Sequence, residues 1–332
     1  MKPLRILATL AMILAFFVVM LGAYTRLTNA GLGCPDWPGC YGRLMVPASG
    51  TEQHMVQQQY PNVPLETRKA WTEMLHRYVA GTLVLLIVGI NLFAWRYRRQ
   101  GAPRALPLIL LGLIGFQAAL GMWTVTLKLL PVVVMGHLLG GLLLFGGLVY
   151  LNLLLYATAS SQQGSYWRVW VKVAVGIVFC QIALGGWVSA NYAGLSCMGF
   201  PQCNGHWLPT MAWQHSFQLW SAIGTNYQGG LLDSMSRVTI QMVHRFGAAV
   251  TFVYLLSLAA CLLRMVQSKS IRYVVSAVLA CLLLQIALGI TNVVYWLPLW
   301  VAVAHNGMAA LLFAAVLSLH FYLRGPSHAR YA

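Results

Sequence analysis

Four histidines carry the chemistry that this sequence suggests. His76, His137, His244 and His305 each fall in a long apolar run, within about two turns of one end of it. An ionisable side chain in such a run is costly and marks a functional site by default. Two imidazoles facing one another across a helix bundle can supply both axial ligands of a haem iron. For a single residue, a packing histidine with one hydrogen bond is the plainer reading. A pair that recurs at matched depth favours ligation. Zinc or copper fits less well, because carboxylate and thiolate co-ligands are missing at that depth.

Glu73 is the only carboxylate inside an apolar run and lies three residues before His76, on the same helix face. It can take up or relay a proton beside the iron. Pairing with Arg77 near the membrane boundary is the other reading. Arg77 and Arg245 directly follow His76 and His244. They are candidates for haem propionates and also for snorkelling to lipid headgroups. Gly136, Gly140 and Gly141 surround His137, and Gly307 follows His305. Small residues there admit a macrocycle or serve plain helix packing.

Cys34 and Cys40 enclose five residues rich in Pro and Gly, and Cys197 and Cys203 enclose another five. Such turns can bring two Cα atoms within disulfide range, and an oxidising compartment preserves the bond. Structural Cys34–Cys40 and Cys197–Cys203 clips are one reading; thiols that exchange electrons with a partner are the other. Zinc would need two further ligands, and only His206 lies close by. Asp36, inside the first pair, reads as a turn former or a substrate contact. Cys180, Cys261 and Cys281 lie in apolar runs and read as small core residues. His54, His206 and His215 fall in loops and take no role; His320 lies near the far end of the last run.

The elements that must position these residues are membrane helices. Of 332 residues, 59% are hydrophobic and 8% charged, against roughly 25% charged in a soluble domain. Mean hydropathy is +0.71. A soluble globular, disordered or collagenous chain is excluded. Eight apolar runs predict spans over 6–26, 71–95, 105–127, 132–156, 169–190, 238–263, 272–294 and 300–323. The first has no Ala-x-Ala-like cleavage site and reads as a retained span. In the second long loop, Trp213, Phe217, Trp220 and Gly224 follow helical spacing, which predicts an interfacial helix.

The net charge of +16 sets topology rather than binding nucleic acid, since no basic stripe lies on a polar surface. Thirteen basic residues, from Lys2 and Arg5 through Arg96, Arg168 and Arg264 to Arg324 and Arg330, fall on one side. Five, Arg26, Arg43, Arg68, Lys69 and Lys128, fall on the other. Both termini are therefore expected in the cytoplasm, with the long loops 27–70 and 191–237 outside.

The chain also repeats itself. Leu21-Gly22, Ala30-Gly31-Leu32, Cys34 and Cys40 return 163 residues later as Leu184-Gly185, Ala193-Gly194-Leu195, Cys197 and Cys203. His76-Arg77, Gln117 with Leu120-Gly121, and His137 return 168 residues later as His244-Arg245, Gln285 with Leu288-Gly289, and His305. Four landmarks in one order predict an all-α polytopic membrane protein of eight transmembrane helices, arranged as two pseudo-symmetric four-helix bundles over 1–160 and 161–332. The counterpart of Glu73 is Gln241. A titratable group beside one pair and a neutral isostere beside the other point to proton chemistry in the first half and electron transfer in the second.

Eight spans, two four-span repeats, four outer-side histidines, Glu73-x-x-His76 and paired loop cysteines together resemble the haem A synthase family, over nearly the whole chain. The resemblance implies oxidation of the C8 methyl of haem O to a formyl group, by way of the alcohol, giving haem A for haem–copper oxidases. It implies that His244 and His305 hold a permanent haem b, that His76 and His137 hold the substrate haem, and that Glu73 is the essential glutamate. It implies a multi-pass protein of a bacterial-type cytoplasmic (inner) membrane. A haem O synthase would be its supplier, and a quinol or thiol partner its electron donor. Association with a second copy is left open. A dihaem b-type electron carrier or quinol oxidoreductase is the rival; it accounts for the four histidines but leaves Glu73 against Gln241 unexplained.

Overall fold

A computed structural model describes residues 1–156 and 165–324. Among them it is all helix: α1 (Lys2–Leu27), α2 (Gly50–Gln59), α3 (Thr67–Arg96), α4 (Ala105–Thr126), α5 (Pro131–Tyr156), α6 (Arg168–Ala190), α7 (Trp213–Ser216), α8 (Ser234–Met265), α9 (Lys269–Val294) and α10 (Leu299–Tyr322). All eight predicted spans are present. α1, α3, α4, α5, α6, α8, α9 and α10 are each long and apolar enough to cross a bilayer. Arg330 and the 160/161 boundary lie outside the described residues.

These helices turn large apolar side chains outward. Leu85 is 72% exposed, and Leu92, Ile109 and Val253 are similarly open. Such a surface is stable against lipid tails rather than water. Inside, small residues let the backbones approach: Ala8, Ala11 and Ala15, with Leu4 ahead of them, form the buried stripe of α1. One polar tether crosses that contact. Asn152 Nδ2 of α5 donates to the Ala8 carbonyl at 3.0 Å, and the Thr9 hydroxyl donates to Asn152 Oδ1 at 2.9 Å.

α1 packs on α3 and α5, and α4 on the same two helices; α6 packs on α8 and α10, and α9 on the same two. These contacts close one ring through α1, α3, α4 and α5 and another through α6, α8, α9 and α10. The rings meet through α5 with α6 and α10, and through α1 with α10.

The sequence repeat is also a repeat of backbone conformation. Non-glycine residues with positive φ recur in pairs: Asn29 (52°) with Tyr192 (55°), Tyr41 (54°) with Asn204 (51°), Lys128 (49°) with Trp296 (61°), and Leu129 (61°) with Leu297 (60°). Left-handed backbone costs a side-chain-bearing residue roughly 1–2 kcal/mol, so its recurrence marks turns that packing dictates. Lys128-Leu129 and Trp296-Leu297 make the short turns of the α4–α5 and α9–α10 hairpins. Each turn aims its leucine at a loop glycine: Leu129 lies against Gly31, and Leu297 against Gly194.

Three local expectations are corrected. The helix expected over 213–224 is a single turn, α7. The Ser216 carbonyl, which would accept from the next turn, instead accepts from Trp187 Nε1 at 2.8 Å, and the chain leaves helical geometry at Phe217. Trp220 is left 82% exposed. Conversely, α2 forms in a segment read as loop. Its signal is a capping box: Ser49 Oγ accepts from Glu52 N–H at 3.3 Å, and Glu52 Oε2 accepts from Ser49 N–H at 3.2 Å. The Ser49 and Ala48 backbone N–H groups hold the Glu52 carboxyl below the usual carboxylate range. Finally, Cys180 and Cys261 are exposed on the outer helix faces and Cys281 is partly exposed. A thiol is apolar enough to face lipid as readily as core.

Candidate functional site

Each of the four paired histidines rests on a glycine of a neighbouring helix. A Cβ built on Gly22 of α1 would stand 3.2 Å from His76 Cε1, and one on Gly121 of α4 3.4 Å from His137 Cε1. In the other ring, a Cβ on Gly185 of α6 would stand 3.1 Å from His244 Cε1, and one on Gly289 of α9 3.1 Å from His305 Cε1. All four glycines belong to Leu-Gly steps of the repeat. The steps were legible as landmarks; their role was not, because it depends on which helices are neighbours.

The His76 and His137 rings face each other with centroids 6.4 Å apart and planes at 81°. Two metal–nitrogen bonds of about 2 Å each fit in that separation together with the inner halves of the rings. Nδ1 of His76, His137 and His305 is buried without a hydrogen-bond partner. His244 Nδ1 lies 3.1 Å from Gln181 Nε2, and His305 Nε2 lies 3.2 Å from Gln285 Nε2. Sequence reasoning missed both glutamines as ring partners. Among the described residues no three His, Cys, Asp or Glu side chains gather as a metal cluster would require. Paired imidazoles suit a macrocycle, which brings its own four nitrogens and asks the protein for axial ligands only.

Glu73 is buried on the loop side of α3. Its Oε2 accepts from the Cys34 N–H at 2.9 Å, and its Oε1 pairs with Arg77 Nη2 at 2.5 Å. Gly33 makes that approach possible: a Cβ there would lie 2.6 Å from the Lys69 carbonyl carbon. Arg77 Nη1 also donates to the carbonyls of Asp36 (3.0 Å), Pro38 (3.1 Å) and Gly39. Arg245 repeats the grip, donating to the carbonyls of Gln202 at 3.1 Å and Cys197 at 2.6 Å. Gln241, the counterpart of Glu73, donates only a long bond of 3.5 Å to the Gly194 carbonyl.

Both cysteine pairs are disulfides, Cys34–Cys40 and Cys197–Cys203, each with Cα atoms 4.8 Å apart. Asp36 is a turn former: its carboxylate accepts from the Tyr41 and Gly42 N–H groups at 2.6 and 2.7 Å. The bonded loops present their carbonyls to Arg77 and Arg245. Gly140 and Gly307 serve packing, taking Gln117 in one case and Met20 with Phe16 in the other.

The glycine seats make a stability prediction. Gly185→Ala forces the His244 ring aside and is expected to cost about 1–3 kcal/mol. Gly176→Ala on the same helix meets nothing within 4 Å and is expected to be neutral. Thermal unfolding of the two variants checks this; equal midpoints would mean the seat is loose.

The sequence matches the COX15-CtaA family, cytochrome oxidase assembly protein, over residues 5–317. It is 42% identical over 324 residues to the Heme A synthase of Shewanella oneidensis, covering 96% of each chain. It is 29% identical over 357 residues to the Heme A synthase of Caulobacter vibrioides, covering 98% of this chain and 97% of that one. With the Heme A synthase of Rhizorhabdus wittichii it shares 28% identity over 330 residues, covering 93% and 90%.

Proposed function

This chain belongs to the COX15-CtaA family of cytochrome oxidase assembly proteins, and we propose that it oxidises the C8 methyl of haem O to a formyl group, making haem A. The observation that carries the proposal to particular residues is the facing His76–His137 pair, with rings 6.4 Å apart and Glu73 one turn away on the same helix. We assign the substrate haem to that pair and a resident haem b to His244 and His305. The two rings of helices then divide the work, the first half of the sequence (1–160) as a substrate half and the second (161–332) as an electron-transfer half. The matched glycine seats support treating the two pairs as equivalent ligand sets.

In this reading His76 and His137 fix the substrate iron, and their seats hold the imidazole planes. The farnesyl tail of haem O lies along apolar helix surface. Methyl to formyl, by way of the alcohol, is a four-electron oxidation: with water as the oxygen source it releases four protons and four electrons (CH₃ + H₂O → CHO + 4 H⁺ + 4 e⁻), and the electrons would leave to the partner that exchanges electrons with the chain. Glu73 takes up or relays the protons released there. Arg77 Nη2 and the Cys34 N–H hold its carboxyl group in place on α3. The resident haem b supplies one-electron transfer. Arg77 and Arg245 hold the disulfide loops over the two sites; a direct propionate contact would require either guanidinium to share its donors with the loop carbonyls.

The protein lies in a bacterial-type cytoplasmic membrane, with both termini cytoplasmic and the disulfide loops outside. The excess of basic residues on the terminal side supports that orientation. A haem O synthase supplies the substrate, and a quinol or a thiol protein exchanges electrons with the chain. Co-expression with a haem O synthase in a host without haem A is expected to yield a formyl-bearing haem that is absent without this chain. Haem O as the sole recovered product would overturn the proposal.

A further inference from the structure

Arg26 lies on α1 one helical turn outward of Gly22, the seat of His76, and on the same face. Ser189 occupies the matching place on α6, one turn outward of Gly185, the seat of His244. The two positions are separated by the repeat offset of 163, and they meet: Arg26 Nη2 donates to the Ser189 carbonyl. The guanidinium also lies over the Tyr192 ring, with Cζ 3.7 Å from its centroid. Neither contact supplies an anion. Arg26 Nε and Tyr192 Oη are both buried without a hydrogen-bond partner.

Among the described residues no carboxylate is free to neutralise Arg26. Of the five acidic residues, Glu52, Glu66 and Glu73 pair with Arg43, Lys69 and Arg77. Asp36 holds the Tyr41 and Gly42 N–H groups, and Asp233 caps α8 at Ser236. A guanidinium partly sealed from water with no counter-ion is costly. Its planar fork is suited to a carboxylate, and a tyrosine hydroxyl beside it adds one more donor.

We propose that Arg26 and Tyr192 form a carboxylate-binding site between the two rings of helices, and that it holds a propionate of the haem on His244 and His305. This rests on the haem reading above. Ser189 and Tyr192 continue the chain just outward of the His244 seat, and Arg26 reaches them from the opposite half. A residue of the substrate half thereby sets the charge around the resident haem. Positive charge beside a propionate favours the reduced iron, so removing it lowers the midpoint potential.

The test is a redox titration of the purified holoprotein. Arg26→Gln is expected to shift the reduction equilibrium of the bis-histidine haem about tenfold toward the oxidised form, about 59 mV for one electron. Tyr192→Phe is expected to shift it in the same direction by less. Full haem content with an unchanged potential in Arg26→Gln would overturn the proposal, and would leave Arg26 to a lipid phosphate or to packing. If Arg26→Gln does not accumulate, Arg26→Lys decides, since it keeps the charge but loses the fork. A moved propionate bending band in its resonance Raman spectrum supports the site, and an unmoved band overturns it. A wild-type preparation with no bis-histidine haem would instead defeat the haem reading itself.

Discussion

Glu73→Gln is expected to keep its bound haem and to make about 10²- to 10⁴-fold less formyl haem, the range that general acid–base groups contribute. The fold tolerates the change. An amide oxygen still accepts from the Cys34 N–H, now made by Glu73 Oε2 at 2.9 Å. The other half already carries glutamine at this place, Gln241, and forms the same disulfide loop and the same arginine grip. What the amide cannot do is take up a proton. The measurement is the ratio of formyl to methyl haem extracted from cells expressing each variant, alongside haem per chain. A normal ratio in Glu73→Gln would remove Glu73 from the chemistry and leave it as the partner of Arg77.

Leucine at the four histidine positions is expected to separate the two halves. Leucine is close to histidine in volume, so each seat stays filled and the cost in packing is small. His244→Leu and His305→Leu are expected to reduce the tightly held haem b to background and to abolish haem A formation. His76→Leu and His137→Leu are expected to keep haem b with its bis-histidine spectrum and still make no haem A. Each loss should exceed the ~10–100-fold that outer-shell substitutions cost at metal sites. Pyridine haemochrome spectra of the four purified variants check this. Equal haem loss from both pairs would contradict the division of labour.

Much of this architecture was legible in the sequence because a bilayer imposes simple rules. Length and hydropathy located all eight spans, with ends that differ from the helices by a few residues, since polar end-turns extend beyond the apolar run. The repeat was legible in Leu-Gly, Cys and His landmarks, and it extends to backbone conformation at Asn29 with Tyr192 and Leu129 with Leu297. Contacts between distant segments were not legible. Nothing in the spacing of Arg77 indicates that it would bind the carbonyls of Asp36, Pro38 and Gly39. Nor does spacing show that Gly22 and Gly185 seat histidines, or that Arg26 crosses to Ser189. The helix expected at Trp213 failed because one side chain, Trp187, took the carbonyl that helix growth needed. α2 was missed although Ser49-x-x-Glu52 was in plain view. The lipid-facing cysteines show that, in a membrane, an apolar run does not distinguish core from surface.

The proposed function has one chain hold a haem b permanently and convert a second haem. The most direct measurement is the number and identity of haems per purified chain, by mass spectrometry of the extract after co-expression with a haem O synthase. One haem b per chain is expected, together with haem O and its hydroxyl and formyl derivatives. Two haems b per chain, with haem O unaltered in the membrane, would contradict it and assign the four histidines to electron transfer alone.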